Sequence, residues 1–193
     1  MAEKIPCTAC GALILPSTAQ KNDGLCMPCK NGTRQNIEES KRWHAKEREL
    51  DKSCPFRALW RELVDKVHNQ PQGFPGLSED EKLYFAVGVL LGEVYNGGFV
   101  QFFDNSSGEY YRYSELGLIQ MGAVHSLGLL RQAKTLLFGE AAVPKNRAQR
   151  WAAMQKAAEA EVDQIDSAFY KDPDGMDRRT ESFAVGRGLV KSA

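Results

Sequence analysis

Four cysteines near the start of the chain constrain its fold more than any other feature. They form two pairs, Cys7 with Cys10 and Cys26 with Cys29, in the spacing C-x2-C-x15-C-x2-C. Cysteines separated by two residues can turn both sulfurs toward one ion, and the overall spacing is typical of a tetrahedral four-cysteine zinc site. Residues 1–33 are too few to bury a sufficient apolar core, so metal binding would supply folding free energy on the order of 10 kcal/mol.

The predicted ion is one structural Zn²⁺. Thiolates fill all four positions and leave none for water, which is the pattern of a structural site rather than a catalytic one. Two disulfides in a secreted protein are an alternative, although the pair spacing and the first residues, which lack an apolar leader, favour metal. Iron is a second alternative. The fifth cysteine, Cys54, is interpreted as a half-buried small side chain and not as a nucleophile.

Composition and charge indicate a soluble cytoplasmic protein. The chain has 193 residues and a formal net charge of zero. Residues 1–70 carry twelve basic and nine acidic side chains, and the remainder carries thirteen and sixteen. This imbalance is weaker than a nucleic-acid surface usually shows. Apolar runs are short, so we expect no membrane span.

The fold class predicted from the sequence is mainly α. A four-cysteine zinc ribbon over residues 1–33 is expected to precede a charged connecting helix over 34–53 and an all-α domain over 54–193. The connecting helix has few apolar positions and many charged ones, which is typical of a solvated helix. Only the ribbon is expected to contain strands, because no other segment alternates between polar and apolar residues for long enough.

Capping residues divide the α domain into helices. Ser53 is expected to cap a helix with Pro55 in its first turn. The pattern Ser78-Glu-Asp-Glu81 is a capping box, which predicts a buried central helix to about Tyr95. Later helices are expected over roughly 112–122, 125–138, 145–170 and 177–190.

A glycine-rich turn with aromatic residues follows the central helix. Gly97 and Gly98 can adopt positive φ and would end that helix sharply. Phenylalanines at i, i+3 and i+4 would then form one buried face of a short helix, while Gln101 and Asn105 are expected to bond exposed backbone near the turn. We call the following residues the turn signature: Glu93, Asn96, Gly97, Gly98, Phe99, Gln101, Phe102, Phe103, Asn105 and Gly108.

The turn signature resembles that of the bacterial DNA-mimic protein family, in its C-terminal domain of otherwise unassigned function. The resemblance extends over about residues 55–190 and does not include the cysteine module. It implies an all-α fold and a non-enzymatic role, in which carboxylates imitate DNA phosphates and occupy a DNA-binding protein. A matching acidic face is expected at Glu159, Asp163 and Asp166, although the helix bearing them also fits an ordinary amphipathic helix with a solvated face.

Two classes of function follow. The first is a non-enzymatic protein-binding or inhibitory module, which occupies a DNA-binding regulator or neutralises a nuclease-type toxin as an immunity protein does. The second is nucleic-acid binding by the zinc ribbon and the adjacent helix, with Arg42, Trp43, Lys46 and Arg48 as candidates. No small-molecule substrate is indicated. The three histidines match no catalytic motif, so we expect no enzyme; a hydrolase with an unrecognised acidic site is the remaining alternative.

Overall fold

The computed structural model describes residues 3–154 and 159–191, with the backbone alone at residues 159 and 160. The chain divides into two compact units, Met1–Cys54 and Pro55–Ala193. Within the described residues, both units are helical and strand is confined to one short hairpin. The mainly α fold class predicted from the sequence is confirmed.

The N-terminal unit consists of a minimal hairpin followed by helices. Its elements, in chain order, are β1 (Ile5–Pro6), β2 (Leu13–Ile14), α1 (Pro16–Lys21), α2 (Met27–Lys30) and α3 (Arg34–Ser53). The two strands pair antiparallel. The described residues of this unit bury only Cys7, Ala19, Asn22 and Cys26, so the unit has almost no apolar core.

Helix α3 is a solvated helix with no buried side chain. Glu38 forms ion pairs with Arg34 at 3.4 Å and with Lys41 at 3.0 Å, at the i,i+4 and i,i+3 spacings that stabilise exposed helices. The prediction that Ser53 caps the next helix is wrong. Ser53 is the last residue of α3, and its hydroxyl donates to the carbonyl of Glu49 at 2.9 Å.

The second unit is a helical domain built around one long helix. Its elements are α4 (Pro55–Asn69), a 3₁₀ turn (Phe74–Gly76), α5 (Glu79–Asp104), a second 3₁₀ turn (Ser106–Tyr110), α6 (Tyr111–Gln120), α7 (Val124–Phe138), α8 (Arg147–Ala153), α9 (Glu159–Phe169) and α10 (Met176–Gly186). Helix α5 contributes more buried side chains than any other described helix.

The capping box predicted at the start of α5 is confirmed. Ser78 Oγ accepts the backbone N–H of Glu81 at 3.3 Å, and the Glu81 carboxylate accepts the N–H of Ser78 at 2.8 Å. The helix is interrupted at Gly97 and Gly98, where the backbone leaves helical geometry and φ reaches 78° at Gly98. The predicted sharp end of the central helix therefore occurs, and a short helical segment follows it.

By length and composition α5 could cross a membrane. Its apolar side chains instead form the centre of a packed core, among them Phe85, Val87, Leu90, Val94 and Phe99. The core helix of a globular domain passes the same compositional test, and this burial favours that interpretation.

The helix predicted over residues 145–170 is wrong as a single element. Helix α8 ends at Ala153, and its C-cap Met154 has an extended backbone at φ −64° and ψ 129°. Helix α9 begins at Glu159. The side chain of Met154 is buried, so the residue that ends α8 belongs to the core.

Candidate metal centre and turn signature

The four predicted ligands lie together in the N-terminal unit. The Sγ atoms of Cys7, Cys10, Cys26 and Cys29 are all within 4.8 Å of one another. Zinc–sulfur bonds of about 2.3 Å in a tetrahedron place sulfurs about 3.8 Å apart, and Cys10 Sγ lies 3.7 Å from Cys26 Sγ. The cysteines are free thiols. The arrangement fits one tetrahedral ion.

Local structure directs the sulfurs inward. The first pair flanks the turn that joins β1 to β2, where the N–H of Gly11 donates to the carbonyl of Cys7 at 2.8 Å. Cys26 is the N-cap of α2, and Cys29 lies within that helix. The second pair therefore belongs to a helical turn and not to a strand ribbon, which limits the ribbon prediction to the first pair.

A backbone N–H and an arginine side chain donate hydrogen bonds to the sulfurs and stabilise their thiolate forms. The backbone N–H of Cys26 donates to Cys7 Sγ at 3.2 Å, and this bond is the main reason that the pKa of the Cys7 thiol falls to about 6. Arg34 Nη2 donates to Cys26 Sγ at 3.0 Å and lowers the pKa of that thiol. Burial, followed by the neighbouring sulfurs, raises the pKa of Cys29 to about 12. A bound cation deprotonates coordinating thiols and so removes this barrier.

In the helical unit, the polar residues of the turn signature bond to one another. Glu93 Oε2 accepts from Gln101 Nε2 at 2.7 Å and from Asn105 Nδ2 at 2.9 Å, and Glu93 Oε1 accepts from Ser107 Oγ at 3.1 Å. Asn96 Nδ2 donates to Gln101 Oε1 at 3.3 Å. The expectation that the side chains of Gln101 and Asn105 bond backbone groups is wrong, because the amide N–H groups of both donate to Glu93.

Each glycine of the turn signature lies where a polar side chain approaches the backbone. A Cβ at Gly97 would collide with the Gln101 amide, and one at Gly98 would collide with the Asp166 carboxylate. A Cβ at Gly108 would lie 2.6 Å from Arg150 Nε and 2.8 Å from the carbonyl oxygen of Phe103. The glycines therefore provide room for the hydrogen bonds that fix this corner.

The aromatic residues of the turn signature form the predicted buried face. Phe99, Phe102 and Phe103 have no exposed surface. Phe99 packs edge-on against Phe169 of α9, with ring centroids 5.2 Å apart, and Phe103 packs against Phe138 of α7 at the same distance. The signature thus anchors the end of α5 to two other helices.

A fully buried arginine closes the same corner. Arg150 of α8 has no exposed surface. Its guanidinium donates to the carbonyl oxygens of Phe103 at 2.8 Å and Asn105 at 2.6 Å, and to those of Pro144 and Lys145 at 3.0 and 2.6 Å. The guanidinium therefore ties the end of α5, through Phe103 and Asn105, to the segment that precedes α8.

Two buried carboxylates cap the N-termini of helical segments that are far from them in the sequence. Asp166 Oδ1 accepts the N–H of Phe99 at 2.8 Å, which begins the segment after the Gly97–Gly98 break. Asp174 Oδ2 accepts the N–H of Ser126 at 2.6 Å in the first turn of α7, and Asp174 Oδ1 lies 3.1 Å from His125 Nδ1. Burial raises the pKa of Asp166. Burial also opposes ionisation of Asp174, but the bonds from Ser126 and His125 prevail and lower its pKa.

The acidic face predicted at Glu159, Asp163 and Asp166 is not formed as expected. Asp166 is only 7% exposed and is committed to Phe99, so it cannot meet a partner. Asp163 is exposed. The side chain of Glu159 lies outside the described residues.

Carboxylates and tyrosines instead share another surface beside the helix break. Tyr95 and Tyr170 are 47% and 45% exposed, and their rings stack with centroids 6.1 Å apart. Burial, and then the charges of Asp172 and Asp177, raise the pKa of Tyr95. Burial, and then Asp166 and Asp163, raise that of Tyr170. We call the residues of this region that reach solvent the acidic tyrosine surface: Tyr95, Asp163, Tyr170, Asp172 and Asp177.

The comparison with protein families decides the relationship of the helical unit. The sequence model of the DMP19-like protein family matches residues 75–187, which is more than half of the chain. The chain belongs to this family. The resemblance drawn from the turn signature is thereby confirmed for the C-terminal domain, and the cysteine cluster lies outside the match. Neither the curated proteins nor the solved structures yield a match.

Some key residues of the DMP19-like domain could not be identified from sequence. Arg150, Asp174 and Ser107 belong to no local motif, and each bonds a partner that is between 14 and 48 residues away along the chain. Arg34 has a signal in the sequence, because a cation that closely follows a cysteine pair is a plausible partner for thiolate.

Proposed function

We propose that this chain is a non-enzymatic, zinc-containing protein-binding module. Its DMP19-like domain would bind a basic protein, such as a DNA-binding regulator or a nuclease-type toxin. The acidic tyrosine surface carries this proposal. Exposed tyrosines supply large contact area at low entropic cost, and adjoining carboxylates favour a positively charged partner.

The state of the turn signature supports a binding role over a catalytic one. Its conspicuous carboxylate, Glu93, accepts three side-chain hydrogen bonds from Gln101, Asn105 and Ser107. A general acid or base needs a free position toward its substrate. The signature residues thus act in shaping the domain, and the exposed surface beside them is left for recognition.

Affinity capture from the native cell tests the proposal. The bait is the full chain, compared with Asp163→Lys/Asp177→Lys, with a matched control, Glu181→Lys, and with a chain that lacks residues 1–53. We expect one partner to be retained by the control and by the truncated chain, and to be reduced at least tenfold by the double variant. Addition of duplex DNA should compete with the partner if it is a DNA-binding protein. Equal capture by the double variant would contradict the proposal.

We also propose one structural Zn²⁺ bound by the four cysteines. The sulfur distances and the donors to Cys7 and Cys26 support it. Cys10→Ser and Cys26→Ser should each reduce the zinc content measured by mass spectrometry below one ion per chain and disorder residues 1–33. Cys54→Ser is the control and should keep full occupancy. Full zinc retention in both ligand variants would refute four-thiolate binding.

Nucleic-acid binding by the N-terminal unit is the second candidate. Trp43 of α3 is 58% exposed, and an exposed indole can stack on a base. Glu38 and Glu49 on the same helix are paired with lysines, which reduces their repulsion of phosphate. Salt-sensitive retardation of DNA or RNA that Trp43→Ala abolishes would favour this candidate. A cytoplasmic location accords with either function and remains part of the proposal.

A further inference from the structure

The helical unit contains a cleft that the proposed function does not use and that is separate from the acidic tyrosine surface. Its volume is about 680 Å³, within the range of small-ligand pockets, roughly 300–1,000 Å³. Residues from α4, α5, α6, both 3₁₀ turns and the segment before α8 line it, including Phe74, Lys82, Tyr110, Tyr113 and Lys145.

One wall of the cleft is aromatic. The Phe74 ring centroid lies 4.6 Å from that of Tyr110 and 5.0 Å from that of Tyr113. Behind them Phe85, which is buried, lies 5.6 Å from Tyr110 and 6.0 Å from Phe74. Because each ring is packed against another, the wall is preorganised, and a planar ligand could stack there with little loss of side-chain entropy.

The turn signature fixes another wall in place. Ser106, Glu109 and Tyr110 belong to the 3₁₀ turn that follows α5, and all three line the cleft. The chain entering this turn is held through the Arg150 bond to the Asn105 carbonyl, and the turn itself through the Ser107 bond to Glu93. The hydrogen bonds of the signature thus position the residues that shape the pocket.

The charged groups of the lining favour an anion. Lys82 and Lys145 contribute ammonium groups, and Glu109 is the opposing carboxylate. The Lys82 side chain is 13% exposed and pairs at 2.7 Å with Glu79, which is 77% exposed. An ammonium paired with a solvent-exposed carboxylate is held weakly and can still attract a ligand anion.

We propose that this cleft binds a small planar aromatic anion of the mononucleotide type. The base stacks on the wall formed by Phe74, Tyr110 and Tyr113, and the phosphate lies between Lys82 and Lys145. A quaternary ammonium ligand also seeks aromatic rings, but it would meet two ammonium groups here.

Calorimetric titration of the full chain with AMP tests this assignment, with adenosine, inorganic phosphate and choline as separate probes. We expect AMP to bind at least tenfold more tightly than any of the three. Lys145→Glu should weaken AMP binding at least tenfold and leave adenosine binding within twofold, whereas Lys145→Arg should retain AMP. Lys171→Glu, an exposed lysine outside this cleft, is the matched control and should behave as wild type.

Several outcomes would overturn the inference. Equal affinity for phosphate and AMP would indicate an adventitious ion only, and tighter choline binding would reverse the assigned charge. AMP binding that Lys145→Glu leaves unchanged would place the ligand elsewhere. None of these results depends on capture of a protein partner or on zinc content, so failure here is distinguishable from failure of the proposed function.

Discussion

The carboxylate of Asp166 accepts the backbone N–H of Phe99 at 2.8 Å, although 67 residues separate them in the chain. The bond restarts a helix that Gly97 and Gly98 interrupt. It also explains why position 98 is glycine, since a Cβ there would occupy the place of the Asp166 carboxylate. A residue expected on a binding face is therefore a long-range helix cap.

Removal of this cap should destabilise the helical unit. Asp166→Ala leaves the buried N–H of Phe99 without an acceptor, so we expect a loss of about 1–3 kcal/mol in the free energy of unfolding, measured by urea denaturation. Asp166→Asn keeps an acceptor oxygen and should cost less. Asp163→Ala on the same helix is the control, expected within about 0.5 kcal/mol of wild type. An equal effect of the two alanine substitutions would contradict the capping role.

The Glu93 hydrogen bonds predict a second stability effect. Glu93→Ala removes the acceptor for Gln101 and Asn105 and one of two acceptors for Ser107, whose hydroxyl also lies 3.1 Å from the carbonyl oxygen of Phe102. Because the two amides are partly buried and lose their partner, we expect a loss of about 1–3 kcal/mol in the free energy of unfolding. Glu140→Ala, an exposed glutamate, should change it by less than about 0.5 kcal/mol. A Glu93 variant as stable as this control would show that the network contributes nothing.

Asp174 predicts a dependence of stability on pH. Its pKa is lowered in the folded protein, so its contribution is fully present above the unfolded value of about 3.9 and is lost as pH falls through the lower folded value. The difference in unfolding free energy between wild type and Asp174→Asn should therefore shrink below about pH 4. Asp177→Asn, at an exposed site, should show a smaller difference. A difference that grows toward acid pH would contradict the sign.

Arg34 predicts a change in metal affinity without loss of a ligand. Partners of metal ligands typically alter affinity by about 10–100-fold, and Arg34 Nη2 is 3.0 Å from Cys26 Sγ. Competition with a chromogenic chelator should show weaker zinc binding for Arg34→Gln by about tenfold or more, with partial rescue in Arg34→Lys. Arg42→Gln on the same helix is the control. Unchanged zinc affinity in Arg34→Gln would exclude this role.

Local patterns in the sequence predicted local structure well. The two cysteine pairs, the Ser78–Glu81 capping box and the break at Gly98 each depend on residues within a few positions, and each appears in the structure. The predicted cap at Ser53 was wrong because one helix ends and the next begins near this residue. A serine can end one helix as readily as it can cap the next.

Long-range contacts could not be inferred in this way. In the sequence, Arg150 resembles an ordinary surface arginine. Its role depends on a contact with the carbonyl of Phe103, which is 47 residues away along the chain. Asp166 likewise fits the polar side of an amphipathic helix by its spacing. Which carboxylate is buried depends on the packing of α9 against the end of α5, and helical periodicity does not encode that packing.

The scarcity of buried residues in the N-terminal unit carries a physiological consequence. Of the four side chains buried among the described residues of this unit, two are the proposed metal ligands Cys7 and Cys26. If the ion is the main source of order, its supply would determine how long this segment survives in the cell. Zinc starvation would then expose the segment to proteases, and the cell would hold a shortened chain that keeps its helical domain.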